Sequence, residues 1–407
     1  MRTGMSWLRA ALATACLVGA PASGRADIPD NRVRIGVLTD MNGPNADSTG
    51  RGSVVAARLA VEDARALLPG VAIEVIDADH QNKADLASTI ARDWVTNRGV
   101  NAIADVPFSS AGLAVNEVVR DAPRTAFIPS GSGTSDLTGA KCSPNTVHWT
   151  YDTYAPGNVI ARALTGLGAK SWYFVTADYA FGHALERDTT GVIRALGGTV
   201  AGGVRHPAFA PDFSSFLLQA QSSSADVIAF ANASGDTSNS IKQANEFGMI
   251  GGRQRIAALL MLIVDVEAIG LATAKGLYVA SPFYWDLNDG TRAFADRFSA
   301  AMNGRRPTML QAGVYAGVLH YLKAVAAQKT TVQPQVVDAM KAMPTDDPLF
   351  GRGSIRKDGR KIHDYYLFQI KSPQESKGAW DDYKLVATVP ASEAFRSMGE
   401  GGCPLAQ

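Results

Sequence analysis

Two short stretches hold the residues best suited to gripping a small polar guest: Phe108-Ser109-Ser110-Ala111 and Ser130-Gly131-Ser132-Gly133-Thr134. Both supply hydroxyls and backbone N–H donors and carry no charge of their own. Such turns hold a carboxylate or another small anion where a helix begins, because its first N–H groups and its dipole point outward. The same residue types also cap helices and build ordinary turns, so the hydroxyls alone leave both roles open. A nucleophilic mechanism at Ser110 or Ser132 would need a base, for which His148 is the candidate, and a third group to orient it. Nothing marks that third group, and Gly131-Ser132-Gly133 is not the Gly-x-Ser-x-Gly elbow of hydrolases. The six histidines share no metal-ligand spacing, and no Cys-x-x-Cys pair or Asp-rich calcium loop occurs. No enzyme activity, metal or cofactor is therefore expected.

The elements around these turns must place them. Val100–Val106 and Thr125–Ile128 are short apolar runs of the kind that form buried parallel strands. Leu113, Ala114, Val118 and Val119 recur between them at helical spacing. Both turns thus fall at the carboxyl ends of parallel strands, where open sheets bind ligands. Upstream, strand Arg34–Thr39, a helix from about Ser53, strand Val71–Asp77 and a helix carrying Leu86, Ile90 and Trp94 complete a β-α-β-α-β-α-β series through residue 138. A crossing strand, Thr146–Tyr151, follows a turn-rich break, and the pattern starts again. Helices Ala155–Leu167, Ala184–Leu196 and Phe213–Gln221 alternate with strands Ser171–Thr176, Gly198–Arg205 and Ala225–Ala231. A helix to Glu246 and strands Arg255–Leu260 and Gly276–Ser281 end the second series. Two successive units of one type predict an α/β protein with two similar doubly wound parallel-sheet lobes. Three helices beyond Pro282 and short hairpin strands between Gly353 and Val389 finish the chain.

With 407 residues the chain exceeds one ordinary core, and 46% hydrophobic against 19% charged residues describes a foldable globular protein. Arg2, Arg9 and the apolar stretch Leu8–Ala22 read as a secretory leader, residues 1–26, cut after Ala26. Its loss removes Arg2, Arg9 and Arg25 and takes the formal charge from +1 to −2. No basic tract remains to follow a phosphate backbone, so nucleic acid is excluded as a partner. No later segment is long and apolar enough to span a bilayer. Cys142 and Cys403 are then an even pair in an oxidising compartment, expected as a disulfide that staples the tail 396–407.

Landmarks along nearly the whole mature chain resemble the bacterial periplasmic binding proteins of the branched-chain amino acid type. They are Ile35-Gly36-Val37 with Gly43-Pro44, Ser109-Ser110, Asp136-Leu137-Thr138, Asp178-Tyr179-Ala180-Phe181-Gly182, Lys242-Gln243-Ala244 and Glu246-Phe247-Gly248. The resemblance implies a type I fold: two Rossmann-like lobes joined by three hinge strands and closing over a small-molecule solute. The first lobe would hold 27–152 plus 282–345, the second 153–281 plus 346–395. An inner-membrane ABC permease is the implied partner, a monomer the implied state and the periplasm the implied location. Carried over by position, Ser109, Ser110, Gly131, Ser132 and Gly133 would hold a solute carboxylate. Phe181 would cover the solute and Asn232 would face the cleft, with Tyr151, Tyr154 and Trp285 beside the hinges. Where amino-acid binders place an acid for the ammonium, Leu259–Ile263 is wholly apolar. The expected solute is therefore a carboxylate with an apolar or aromatic body, ahead of a branched-chain amino acid or an amide or urea-like solute. A sensing module serving a receptor would share every one of these features.

Overall fold

The computed structural model describes residue 1 and residues 27–406. The expected leader falls on residues 2–26, outside the described ones. The first sheet is built from β1 (Arg32–Thr39), β2 (Ala72–Asp79), β3 (Ala102–Asp105) and β4 (Ala126–Ile128), all parallel, in the order β2-β1-β3-β4. Helices α1 (Gly50–Ala64), α2 (Ala84–Thr96) and α3 (Ser109–Val119) connect them. Strands β3 and β4 are buried along their whole length, so they read as unbroken apolar runs. Trp94, Val115 and Phe127 belong to the core under α2 and α3. Ala56, Ala57 and Ala60 of α1 belong to the core on the other side.

The second unit repeats the plan. After α4 (Tyr154–Gly166) come β5 (Ser171–Ala177), α5 (Ala180–Ala195), β6 (Thr199–His206), α6 (Ser214–Ser222), β7 (Val227–Ala231), α7 (Gly235–Glu246) and β8 (Arg255–Ala258). The sheet order β6-β5-β7-β8 matches the first, again all parallel. In both lobes the chain doubles back beside the first strand, and that switch point is where an open sheet leaves a crevice at its carboxyl edge. The segments after β3 and after β7 lie at these two crevices.

Beyond α8 (Ile263–Ile269), α9 (Leu271–Ala274) and β9 (Tyr278–Ser281), the chain returns to the first unit. There α10 (Asp289–Ala301) and α11 (Met309–Gln328) pack on α1, and α12 (Gln335–Ala342) on α11. Small residues permit this closeness: a Cβ on Gly52 would lie 2.2 Å from Gln311 Nε2. The ending is β10 (Thr345–Asp347), β11 (Gly351–Ile355), β12 (Lys361–Ile362), β13 (Tyr365–Ile370) and β14 (Tyr383–Val389).

Three expectations change. Strand β9 is not the last member of the second parallel sheet; it pairs antiparallel with β13 in a separate β14-β13-β9 sheet. The apolar run Gly276–Ser281 carries no sign of its partner, and only the later hairpin supplies one. Thr146–Tyr151 is not a strand: it makes isolated bridges at Phe127–Thr146 and His148–Arg360. Its carbonyls are taken by side chains instead, with Arg360 donating to Trp149 O at 2.9 Å and Tyr151 O at 2.6 Å. Finally, α5 begins at Ala180 and not Ala184, because Gly182 lets the first turn settle against the end of β5.

Candidate functional site

The turn after β3 leads straight into α3, whose N-cap Phe108 makes no side-chain cap bond. The N–H groups of its first turn are therefore not covered by the helix's own cap. Ser110 there is half-buried, while Ser109 is buried and accepts the Thr134 N–H at 3.2 Å. The second turn is tightly knitted to the same spot. Gly131 N donates to Asp105 O at 3.1 Å, and Ser132 Oγ donates to Val106 O. Tyr151 Oη donates to Gly131 O at 3.2 Å, and Gly133 O accepts from Thr153 N at 2.7 Å. His148 Nε2 donates to the Ser132 carbonyl at 2.7 Å rather than to its hydroxyl. Burial and the nearby Arg360 charge push the His148 imidazole down to about 3, so it is neutral. The structure thus gathers Ser109, Gly131, Ser132, Gly133 and Tyr151 into one buried knot, with Ser110 on its edge.

The remaining candidates lie apart from that knot. Asn232, at the end of β7, is buried and bonded within its own lobe, to Ser240 Oγ and Thr237 Oγ1, both at 2.9 Å. Phe181 is buried in the first turn of α5, its ring 6.1 Å from that of Tyr179. Tyr154 is half-buried at the start of α4. Trp285 donates Nε1–H to Trp380 O at 2.8 Å, and Arg306 lies 4.1 Å over its ring.

Between the lobes stand residues that periodicity does not single out. Phe108 stacks on Tyr179 with centroids 4.7 Å apart and planes 12° from parallel; Phe209 lies 6.0 Å from Phe108. Ser234 Oγ donates across the cleft to Asn45 Oδ1 at 2.8 Å. Asp236, in the first turn of α7, accepts the Phe209 N–H on one oxygen at 2.9 Å, and its other oxygen is buried without a partner. Burial raises its carboxyl to about 6, against the pull of the Phe209 and Ala210 N–H groups. A cavity of about 570 Å³ opens at the rim between Asp40, Pro44, Asn82 and Phe209. Ser234 and Phe209 both have positive φ, 54° and 62°. A serine or phenylalanine gives no local sign of such a backbone, so these residues were not legible beforehand. Tyr179 stood within the quoted Asp178–Gly182 motif; its stacking partner lies in the other lobe.

Among the described residues, no cluster of three or more His, Cys, Asp or Glu could hold a metal ion, and no helix is long and apolar enough to cross a membrane. The disulfide Cys142–Cys403 is present.

A family model described as "Periplasmic binding protein" matches residues 32–379. No curated protein matches the chain. Among solved structures, a periplasmic binding protein from Burkholderia mallei shares 45% identity over 93% of this chain and 100% of its own, with a TM-score of 0.89. A branched chain amino acid ABC transporter periplasmic ligand-binding protein from Burkholderia xenovorans shares 37% over 92% and 100%, with a TM-score of 0.82. A solute binding protein of an ABC transporter from Rhodopseudomonas palustris, in complex with 3,4-dihydroxybenzoic acid, is 22% identical over 89% and 98%, with a TM-score of 0.78. At that distance it is similar in fold alone. Two matching parallel-sheet lobes, a cleft at their switch points and these relatives lead to one assignment: the chain belongs to the periplasmic binding protein family, as a solute-binding protein of the ABC-transporter type and not an enzyme.

Proposed function

We propose that the protein captures a small organic carboxylate with an apolar or aromatic body in the periplasm and hands it to an inner-membrane ABC permease. The carrying observation is the uncapped start of α3 at the switch point of the first sheet, directly beside the ring pair Phe108 and Tyr179. The N–H groups of Ser109, Ser110 and Ala111 suit a carboxylate, and the two rings suit a flat apolar body once the lobes part. We assign anion binding to the first lobe, 27–152 plus 282–345. The second, 153–281 plus 346–395, covers the guest. Each charge-assisted bond contributes about 1.5–3 kcal/mol. Three of them with one stacked ring reach the ~8 kcal/mol of a micromolar complex. A leader over residues 1–26 delivers the chain as a monomer.

One observation favours a second reading, a branched-chain amino acid. The free oxygen of Asp236 is a partner for an ammonium that the apolar Leu259–Ile263 stretch does not supply. A thermal-shift screen over amino acids, benzoate-type acids, short aliphatic acids and amides separates the two. Ligand at a hundredfold excess over Kd adds ~2.7 kcal/mol of stability. The carboxylate reading expects the largest shift from an aromatic acid, diminished in Ser110→Ala. A largest shift from leucine or valine, abolished in Asp236→Asn, overturns it in favour of the second.

A further inference from the structure

The carboxyl-terminal tail crosses between the lobes a fourth time. After β14 it first docks on the second lobe, where Asn158 Nδ2 of α4 donates to Glu393 O at 2.6 Å and Ala394 O at 3.2 Å. It then passes the hinge: Phe395 packs edge-on against His363 and Tyr365 and lies beneath the Arg360 guanidinium. Arg396 O accepts Arg356 Nη1 at 2.7 Å. Beyond the hinge it lies on the first lobe. Arg396 Nη2 donates to Ser135 O at 2.6 Å, a Cβ on Gly139 would stand 2.6 Å from Gly401 O, and Cys403 is bonded to Cys142. Cys142 belongs to the first lobe, since Arg120 of the α3 end donates to its carbonyl at 2.9 Å. The bridge closes a loop across 261 positions that contains the whole second lobe.

We infer that this tail is a covalently anchored strap that limits how far the lobes open and so slows release of the solute. Three hinge crossings fix an axis without setting the amplitude of rotation about it. A fourth connection, bonded to one lobe at Asn158 and to the other at Ser135 and Cys142, resists separation of those two points. Hydrogen bonds alone would let the tail peel away as the lobes part. The bridge stops that, because a tethered tail stays at high effective concentration over its berth. Differential contact between open and closed forms is what biases such an equilibrium. The strap supplies it on the hinge side, through Phe395 and Arg396.

The test needs no knowledge of the solute. Spin labels at Thr96 on the first lobe and Leu218 on the second, both exposed, report the interlobe distance distribution of the ligand-free protein. Cys142→Ser/Cys403→Ser frees the end on the first lobe, whereas Asn158→Ala only loosens the berth of Glu393 and Ala394 on the second, to which β14 still joins the tail. Both changes are expected to broaden the distribution toward longer distances, the cysteine pair more than Asn158→Ala. Their combination should exceed the cysteine pair alone by nothing, since a strap freed from the first lobe is already slack. Release of whichever solute the screen identifies should quicken roughly fivefold or more, at the low end of coupling between sites. Unchanged distributions, or effects of the two cuts that add independently, would overturn the strap. Should the cysteine-free variant fail to fold, Arg396→Ala, which keeps the bridge and removes the guanidinium that binds Ser135 O, gives the same readout beside Asn158→Ala. A failed solute screen with widened distances would reject the carboxylate reading and leave the strap standing.

Discussion

Asp105 closes β3 in a left-handed backbone conformation, φ 79°, followed by Val106 at φ 56°. Neither residue type adopts that region at no cost, and such outliers gather at ligand sites. Its carboxyl is fully enclosed with neither oxygen paired among the described residues; the Thr39 and Ser53 hydroxyls lie beside it, short of bonding geometry. Burial lifts it from the ordinary 3.8 to about 7. A carboxyl whose folded value is raised keeps its proton while the unfolded chain has lost it. Stability therefore falls as pH rises from about 4 to 7 and levels off above. Asp105→Asn should remove that slope. Its melting temperature should match the wild type near pH 4 and exceed it at pH 8, by a gain on the order of 2–4 kcal/mol in urea titration. A difference that is the same at pH 5 and pH 8 would mean that Asp105 does not titrate in this window.

At the scale of elements, the approach of backbone to backbone sets the geometry of the second lobe's crevice. A Cβ on Gly182 would sit 2.1 Å from Ala177 O and 3.0 Å from Ala231 O. Both are main-chain atoms at strand ends, which cannot swing aside as a side chain would. Gly182→Ala must push α5 away from β5 and β7, shifting Phe181 and Tyr179 with it. We expect a loss of about 2–4 kcal/mol in chemical denaturation, typical of overpacking against rigid atoms. Gly166→Ala is the control, because nothing lies within 4 Å of its Cβ position; equal losses in the two would refute the steric account. The same rigidity made the parallel strands easy to read: β3, β4 and β7 are buried along their whole length, so apolar runs located them. The pairing of β9 and the irregular Thr146–Tyr151 crossing have no local signature, because their partners, β13 and Arg360, are remote in sequence.

For the whole molecule, the decisive contacts are those between the lobes. Ser234 holds φ 54° and ψ −129°, a conformation that favours glycine, and its hydroxyl reaches Asn45 from there. The Phe108–Tyr179 pair also spans the cleft. A contact between the lobes is lost as they part, so each one favours closure. Ser234→Ala should weaken solute binding by about 3–10-fold through faster release, as loss of a net 0.5–1.5 kcal/mol hydrogen bond implies. Stopped-flow fluorescence would show it. Ser234→Gly removes the bond but relieves the backbone, so its stability should exceed that of Ser234→Ala. If both variants release the solute at the wild-type rate, the bond plays no part in closure.

The amino-acid order by itself determined the two doubly wound lobes, the Ser-rich start of α3 at a sheet switch point and the cysteine pair. Each of these depends on local periodicity, turn chemistry or simple counting. Only the tertiary structure decided that the Ser132 hydroxyl and the three carbonyls of the Gly131–Gly133 turn are taken up within the protein, and that Phe108, Tyr179, Asn45 and Ser234 meet across the cleft. It alone also routed the tail over the hinge. Those facts depend on groups brought together from distant parts of the chain, and no local pattern records which distant partner a residue will find.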